Sequence, residues 1–125
     1  MVIVDPSARN KAVADEYGIR FLQQHVTTSN MHELLAPLLS TGGQAFLVNL
    51  SVDVSSVQLI RMCRDLGALY IDTCIEPEVG GYTDPSKGLA QRTNYAMREE
   101  ALALRRHVAD PTAVRASSHR TLLQC

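Results

Sequence analysis

Three polar groups in this sequence each follow a short apolar run. Asp5 comes directly after Val2-Ile3-Val4. Asn49, Leu50, Ser51, Val52 and Asp53 follow Ala45-Phe46-Leu47-Val48. Asp72, Thr73, Cys74, Ile75, Glu76 and Pro77 follow Ala68-Leu69-Tyr70-Ile71. If those runs are parallel strands, all three groups stand beyond carboxyl ends, where open α/β sheets bind ligands. An aspartate closing a strand can accept hydrogen bonds from the hydroxyls of an adenosine ribose. It would repel the extra phosphate of NADP, so that reading favours NAD. Asp5-Pro6-Ser7 could equally do no more than cap the next helix. Asn49, Ser51 and Asp53 divide in the same way between turn or cap residues and the lining of a cofactor groove. Asp53 is placed to cap a helix from Val54 to Leu66. Asp72 and Glu76 form a carboxylate pair able to hold a cationic amine, and they could also be solvated loop residues.

Other reactive residue types carry less. His25, His32, His107 and His119 have no metal-ligand spacing, and no metal site is expected. Cys63 falls on an apolar helix face and reads as packing. Cys74 follows a strand end, with nothing nearby to activate its thiol. Cys125 makes the cysteine count odd, and no CxxC pair occurs, which suits a reducing, cytoplasmic setting. No residue is assigned a catalytic role.

The elements that would position these groups alternate. Val2-Ile3-Val4 is a strand stopped by Pro6. A helix is expected from Ala8 to Tyr17, closed by Gly18, and then a strand over Ile19-Arg20-Phe21-Leu22. Asn30 and Glu33 have capping-box spacing ahead of a Leu34, Leu35, Leu38, Leu39 stripe that ends at Gly42-Gly43. Ala45 to Val48 is the next strand. A helix from Asp53 to Leu66 buries Leu59, Ile60, Cys63 and Leu66 and closes at Gly67. Ala68 to Ile71 is a further strand, residues 76 to 91 a long loop, and Arg92 to His107 a helix. Pro111-Thr112-Ala113-Val114 is a candidate last strand. Strands separated by helices pair in parallel through right-handed crossovers, so the fold class is α/β.

Composition sets the outer limits. The 125 residues suffice for one domain, with 46% hydrophobic residues, 20% charged and a net charge of -1. Near-neutral charge without a basic cluster argues against nucleic acid as a partner. No apolar run approaches the ~20 residues that span a membrane, and no secretory signal is evident. No GxGxxG and no GxxxxGK[ST] occurs, and Gly80-Gly81 lies in a loop, so no pyrophosphate-cradling turn is present. A receiver-like α/β domain would need a lysine at a strand end, and neither Lys11 nor Lys87 follows a strand.

Several segments taken together resemble the bacterial homospermidine synthases of the saccharopine dehydrogenase-like group. They are Val4-Asp5-Pro6, Gly18-Ile19-Arg20-Phe21, Val48-Asn49-Leu50-Ser51-Val52-Asp53, Leu66-Gly67-Ala68-Leu69-Tyr70-Ile71-Asp72-Thr73, Glu76-Pro77 and Arg92-Thr93-Asn94-Tyr95-Ala96-Met97-Arg98. The likeness runs from about residue 2 to 114, and residues 115 to 125 depart from it. It implies a Rossmann-like domain holding NAD, with Asp5 facing the adenosine ribose, Asn49, Leu50 and Ser51 lining the cofactor groove, and Thr73 near it. Asp53 and Glu76 would face the diamine. The implied reaction oxidises putrescine, exchanges the resulting imine onto a second diamine and re-reduces it to homospermidine. Glu78 departs from the aromatic residue that family tends to carry after Glu-Pro.

Relative to that family the glycine-rich turn would precede the strand ending at Asp5. The expectation is therefore a partial Rossmann-like parallel sheet with flanking helices, its first βα unit missing. Residues 1–114 would be an incomplete NAD-binding domain and 115–125 a divergent, disordered tail. The chain alone is expected to be inactive, with a homodimer only for a full-length enzyme. The competing expectation is a non-catalytic nucleotide-binding or interaction module derived from such a domain.

Overall fold

A computed structural model of the chain describes residues 1–106. Four strands and four α-helices alternate: β1 (Val2–Asp5), α1 (Lys11–Glu16), β2 (Arg20–Gln23), α2 (Met31–Leu39), β3 (Phe46–Asn49), α3 (Ser56–Leu66), β4 (Leu69–Asp72) and α4 (Asn94–Arg106). Single 3-10 turns cover Ala8–Asn10 and Leu89–Arg92. The expected strand at 111–114 and the expected tail at 115–125 lie outside the described residues.

Both sheets are parallel pairs, as the helical spacers require. β1 pairs with β2, matching Val2 to Arg20 and Asp5 to Gln23. β3 pairs with β4, matching Phe46 to Leu69 and Asn49 to Asp72. Among the described residues no strand joins the two pairs, so each sheet has two strands. Such a pair is marginal by itself and needs a packed face. That face is shared: Val4 of β1 and Leu47 of β3 both lie against one core of Met31, Leu35, Leu39, Leu59, Ile60, Met62, Cys63, Ala68, Tyr70 and Ala101. α3 is the centre of this core, contacting α2, α4 and β4. On the opposite face of β3, Phe46 and Val48 stay 56% and 51% exposed. Side chains alternate across a strand, so these two form one uncovered apolar stripe.

Several boundaries differ from those expected. The first helix is shorter than Ala8–Tyr17, because Ser7 accepts from Arg9 N and caps a 3-10 turn before α1 begins. Gly18 adopts φ 63°, the left-handed stop expected there. The Asn30 and Glu33 capping box does not form. Asn30 Oδ1 instead accepts from Thr27 N at 2.7 Å, and its Nδ2 donates to His25 O at 2.8 Å, so the side chain closes the turn ahead of α2. α2 ends at Leu39, two residues after Pro37, which has no N–H for the helical ladder. β2, β3 and β4 each begin and end one residue later than expected. The last helix begins at Asn94, not Arg92, because Leu89–Arg92 forms the 3-10 turn.

Candidate functional site

The carboxyl ends of β3 and β4 meet at Asn49 and Asp72, which are register partners. Their side chains are joined through Tyr70. Asn49 Nδ2 donates to the Tyr70 hydroxyl at 3.2 Å, and that hydroxyl donates to Asp72 Oδ2 at 2.8 Å. Asn49 Oδ1 accepts from both the backbone N–H and the hydroxyl of Ser51. Burial and the Asp72 carboxylate beside it push the Tyr70 phenol well above its ordinary range, so it stays a neutral donor. Asn49 is 7% exposed and Tyr70 2%. The Asn49 carboxamide is thus turned inward, while Leu50 and Ser51 are exposed and form the outer surface of this ridge.

Asp53 does not cap α3. Ser55 takes that place, its side chain accepting from Gln58 N, and the helix starts at Ser56. Asp53 sits two residues outside the cap with φ 62°. It is the one non-glycine residue among those described with positive φ. Aspartate tolerates the left-handed region better than most residues, yet such backbones persist only where the surroundings hold them, often at functional sites.

Ser56 links this helix start to the loop after β4. Its N–H donates to Glu76 O at 2.9 Å, and its Oγ accepts from Glu76 N at 2.9 Å. The Glu76 side chain is held separately, accepting from the Tyr82 hydroxyl at 3.1 Å. The same hydroxyl lies 3.0 Å from Asn94 Oδ1, and Asn94 Nδ2 donates to Cys74 Sγ at 3.3 Å. Partial desolvation, then the Glu76 carboxylate, push the Cys74 thiol up, the opposite of activation. Glu78 has a different partner. Its carboxylate accepts from Thr28 Oγ1 at 2.8 Å and pins the loop to the turn before α2.

Asp5 stands at the end of β1, in the other sheet. Its Oδ1 accepts from Ser7 N at 2.6 Å, so it closes a turn, while the side chain that caps the following 3-10 helix is that of Ser7. Among the described residues only that oxygen of the carboxylate has a hydrogen-bond partner. Thr73 is exposed just past β4. Each candidate therefore follows the carboxyl end of its own strand. Asn49, Ser51, Asp53, Thr73 and Glu76 gather at the β3–β4 end, whereas Asp5 belongs to the β1–β2 end. Sequence reasoning missed Tyr70 and Ser56 because one lies inside an apolar strand and the other inside a cap-like Ser55-Ser56 doublet. His25 and His32 are exposed, and no group of three metal-ligating side chains occurs among the described residues. No described helix is long and apolar enough to cross a membrane.

The saccharopine dehydrogenase NADP-binding domain model matches residues 1–114. The chain belongs to this family. Two curated relatives are similar at high identity. The homospermidine synthase of Blastochloris viridis is 51% identical over 108 residues, covering 86% of this chain and 23% of that protein. The homospermidine synthase of Mesorhizobium japonicum is 53% identical over 100 residues, covering 79% and 21%. The chain thus spans less than a quarter of the curated relatives it matches. Among solved structures it resembles the homospermidine synthase of Legionella pneumophila, crystallised with NAD. That match has a TM-score of 0.66 and 34% identity, over 82% of this chain and 20% of that one. The likeness agrees with the Rossmann-like α/β class expected from the sequence.

Proposed function

We propose that this saccharopine dehydrogenase-like chain forms part of the NAD- and diamine-binding region of a homospermidine synthase-like enzyme. The observation that carries the reading is the joining of two strand ends at one place. Asn49 of the 49–51 ridge is bonded to Tyr70 of β4, and Ser56 at the start of α3, just after Asp53, is bonded to the Glu76 backbone. A solved structure of similar fold, the homospermidine synthase of Legionella pneumophila, was crystallised with NAD.

In this reading Asp5 Oδ2 accepts from an adenosine ribose hydroxyl. Leu50 and Ser51 line the groove with Asn49 beneath them, and Thr73 stands beside it. The acidic Asp5 favours NAD over a 2′-phosphorylated cofactor, although the family model is named for NADP. When bound, NAD supplies reversible oxidation of the carbon next to an amine. Asp53 and Glu76 hold the ammonium end of putrescine. A carboxylate paired to an ammonium gives a charge-assisted bond, strengthened where water is partly excluded. Tyr82 orients Glu76 for that contact. Net redox change over the reaction is zero, because the diamine is oxidised, exchanged as an imine and reduced again.

The fit to NAD is partial. Among the described residues no glycine-rich turn lies between a strand and a helix, and that turn is what cradles a pyrophosphate. Among the described residues the edges of β1 and β3 not used by β2 and β4 also carry no strand. The proposal is therefore that residues 1–114 are an incomplete domain, inactive alone. The second reading, a non-catalytic nucleotide-binding or interaction module, rests on that same absence of a turn. Titrating the chain with putrescine while following backbone amide shifts separates the two. Shifts at Asp53 and Glu76, lost in Glu76→Gln, support the enzyme-derived site, and no shift at either residue favours the module.

A further inference from the structure

The hydrogen-bond chain through Tyr70 has a defined direction. Asp72, as a carboxylate, can only accept, so the single hydroxyl proton of Tyr70 goes to it. The phenol oxygen is then an acceptor toward Asn49, which selects the Nδ2 end of that carboxamide. With Nδ2 turned to Tyr70, Oδ1 must face the other way, where it receives the Ser51 N–H and hydroxyl. One acceptor-only group thus sets the orientation of an amide two bonds away and closes the 49–51 turn. Tyr70 and Asn49 are both buried, so a reversed amide would leave polar atoms unpaired away from water. Among the described residues no buried side-chain polar atom lacks a partner.

We infer that Tyr70, oriented by Asp72, is a positioning residue that fixes the Asn49 carboxamide and so the shape of the Leu50–Ser51 ridge offered to the cofactor. The functional half of this rests on the cofactor-groove reading above; the positioning half does not. It also reassigns Asp72. Asp72 Oδ2 serves the phenol, as Glu76 Oε2 serves the Tyr82 hydroxyl, so Asp72 has a structural part besides any contact with an amine. Tyr70 does not act on substrate directly in this assignment.

The test uses the whole chain, 15N-labelled, and the variant Tyr70→Phe, which removes only the hydroxyl. Hydrogen exchange is read at the Asn49 side-chain amide, at Ser51 N–H and at the α3 amides of Leu59, Ile60 and Cys63. Loss of one buried bond should speed exchange at Asn49 and Ser51 about tenfold, with the α3 amides unchanged. Unchanged exchange at Asn49 and Ser51 overturns the inference. An equal rise at α3 also overturns it, because Tyr70 would then act on global stability alone. Asp72→Asn, which keeps the packing of Tyr70, is the second variant. It should also speed exchange at Asn49 and Ser51, and no change there in a folded protein overturns the role given to Asp72. Millimolar NAD added to the wild type tests the groove separately. Amide shifts at Leu50 and Ser51 that persist unaltered in Tyr70→Phe overturn the link to the cofactor. Absence of any shift in the wild type removes the groove reading and leaves the exchange result to decide the positioning role.

Discussion

Ser56 and Glu76 are bonded in both directions, each donating its backbone N–H to an oxygen of the other at 2.9 Å. Ser56 is fully buried at the first turn of α3. The pair ties the loop after β4 to the start of α3, which is how Asp53 and Glu76 come to share one end of the molecule.

Replacing Ser56 with Ala removes the acceptor of the Glu76 N–H and leaves that donor unpaired. The expected cost is about 1–3 kcal/mol, read as a lower urea midpoint with an unchanged slope. Exchange at the Glu76 amide should rise more than exchange in α2, which distinguishes a local release from a general loss.

The left-handed backbone of Asp53 separates strain from charge. Asp53→Val should destabilise by more than about 1 kcal/mol, because a β-branched residue fits that region poorly. Asp53→Gly should change stability by less than about 1 kcal/mol, since relief of strain offsets the greater freedom of the unfolded chain. Both variants should lose the putrescine-dependent shifts, as neither carries the carboxylate.

Gly81 lies where an added methyl group would overlap the Pro77 side chain. Gly81→Ala should therefore displace the 77–82 loop at a cost of about 1–3 kcal/mol. Tyr82 would move with it and release Glu76. The check is a stability measurement paired with the chemical shifts of the Tyr82 ring.

Alkaline stability has a predicted sign. Burial pushes the Cys63 thiol up to about 11, from an ordinary 9.0. A group raised on folding favours the folded state while it is protonated in both states. Its contribution is complete below pH 9.0 and is lost as pH rises to about 11. The shift corresponds to about 3 kcal/mol across that window. Cys63→Ala should lower stability at pH 7 by about 1 kcal/mol through the small cavity it leaves. It should also flatten the decline between pH 9.0 and about 11. Tyr70, raised in the same direction, would keep some slope at higher pH.

The α/β class was legible because Gly18 and Gly67 punctuate helices ahead of short apolar runs, and such runs admit few arrangements. Leu59, Ile60 and Cys63 could be placed in the core from helical spacing alone. Ends of elements were harder to read. Asn30 has cap spacing with Glu33, yet its side chain found better partners in Thr27 and His25, one turn earlier. Asp53 looked able to cap α3, but the cap is Ser55, and the backbone at Asp53 turns left-handed. The positions of Asn49, Asp53, Thr73 and Glu76 at strand ends followed from the sheet rule. Their connection did not, because it runs through Tyr70 and Ser56, residues whose local sequence signals packing and capping. Which residues meet between two strands is set by register, and register is not written in either strand alone.

The central claim is that this chain holds ribose- and amine-facing groups without the turn that cradles the pyrophosphate. Isothermal titration of the purified chain with NAD tests it most directly. The account predicts no saturable heat at micromolar NAD, with any binding confined to the millimolar range. A micromolar Kd for the chain alone would contradict it.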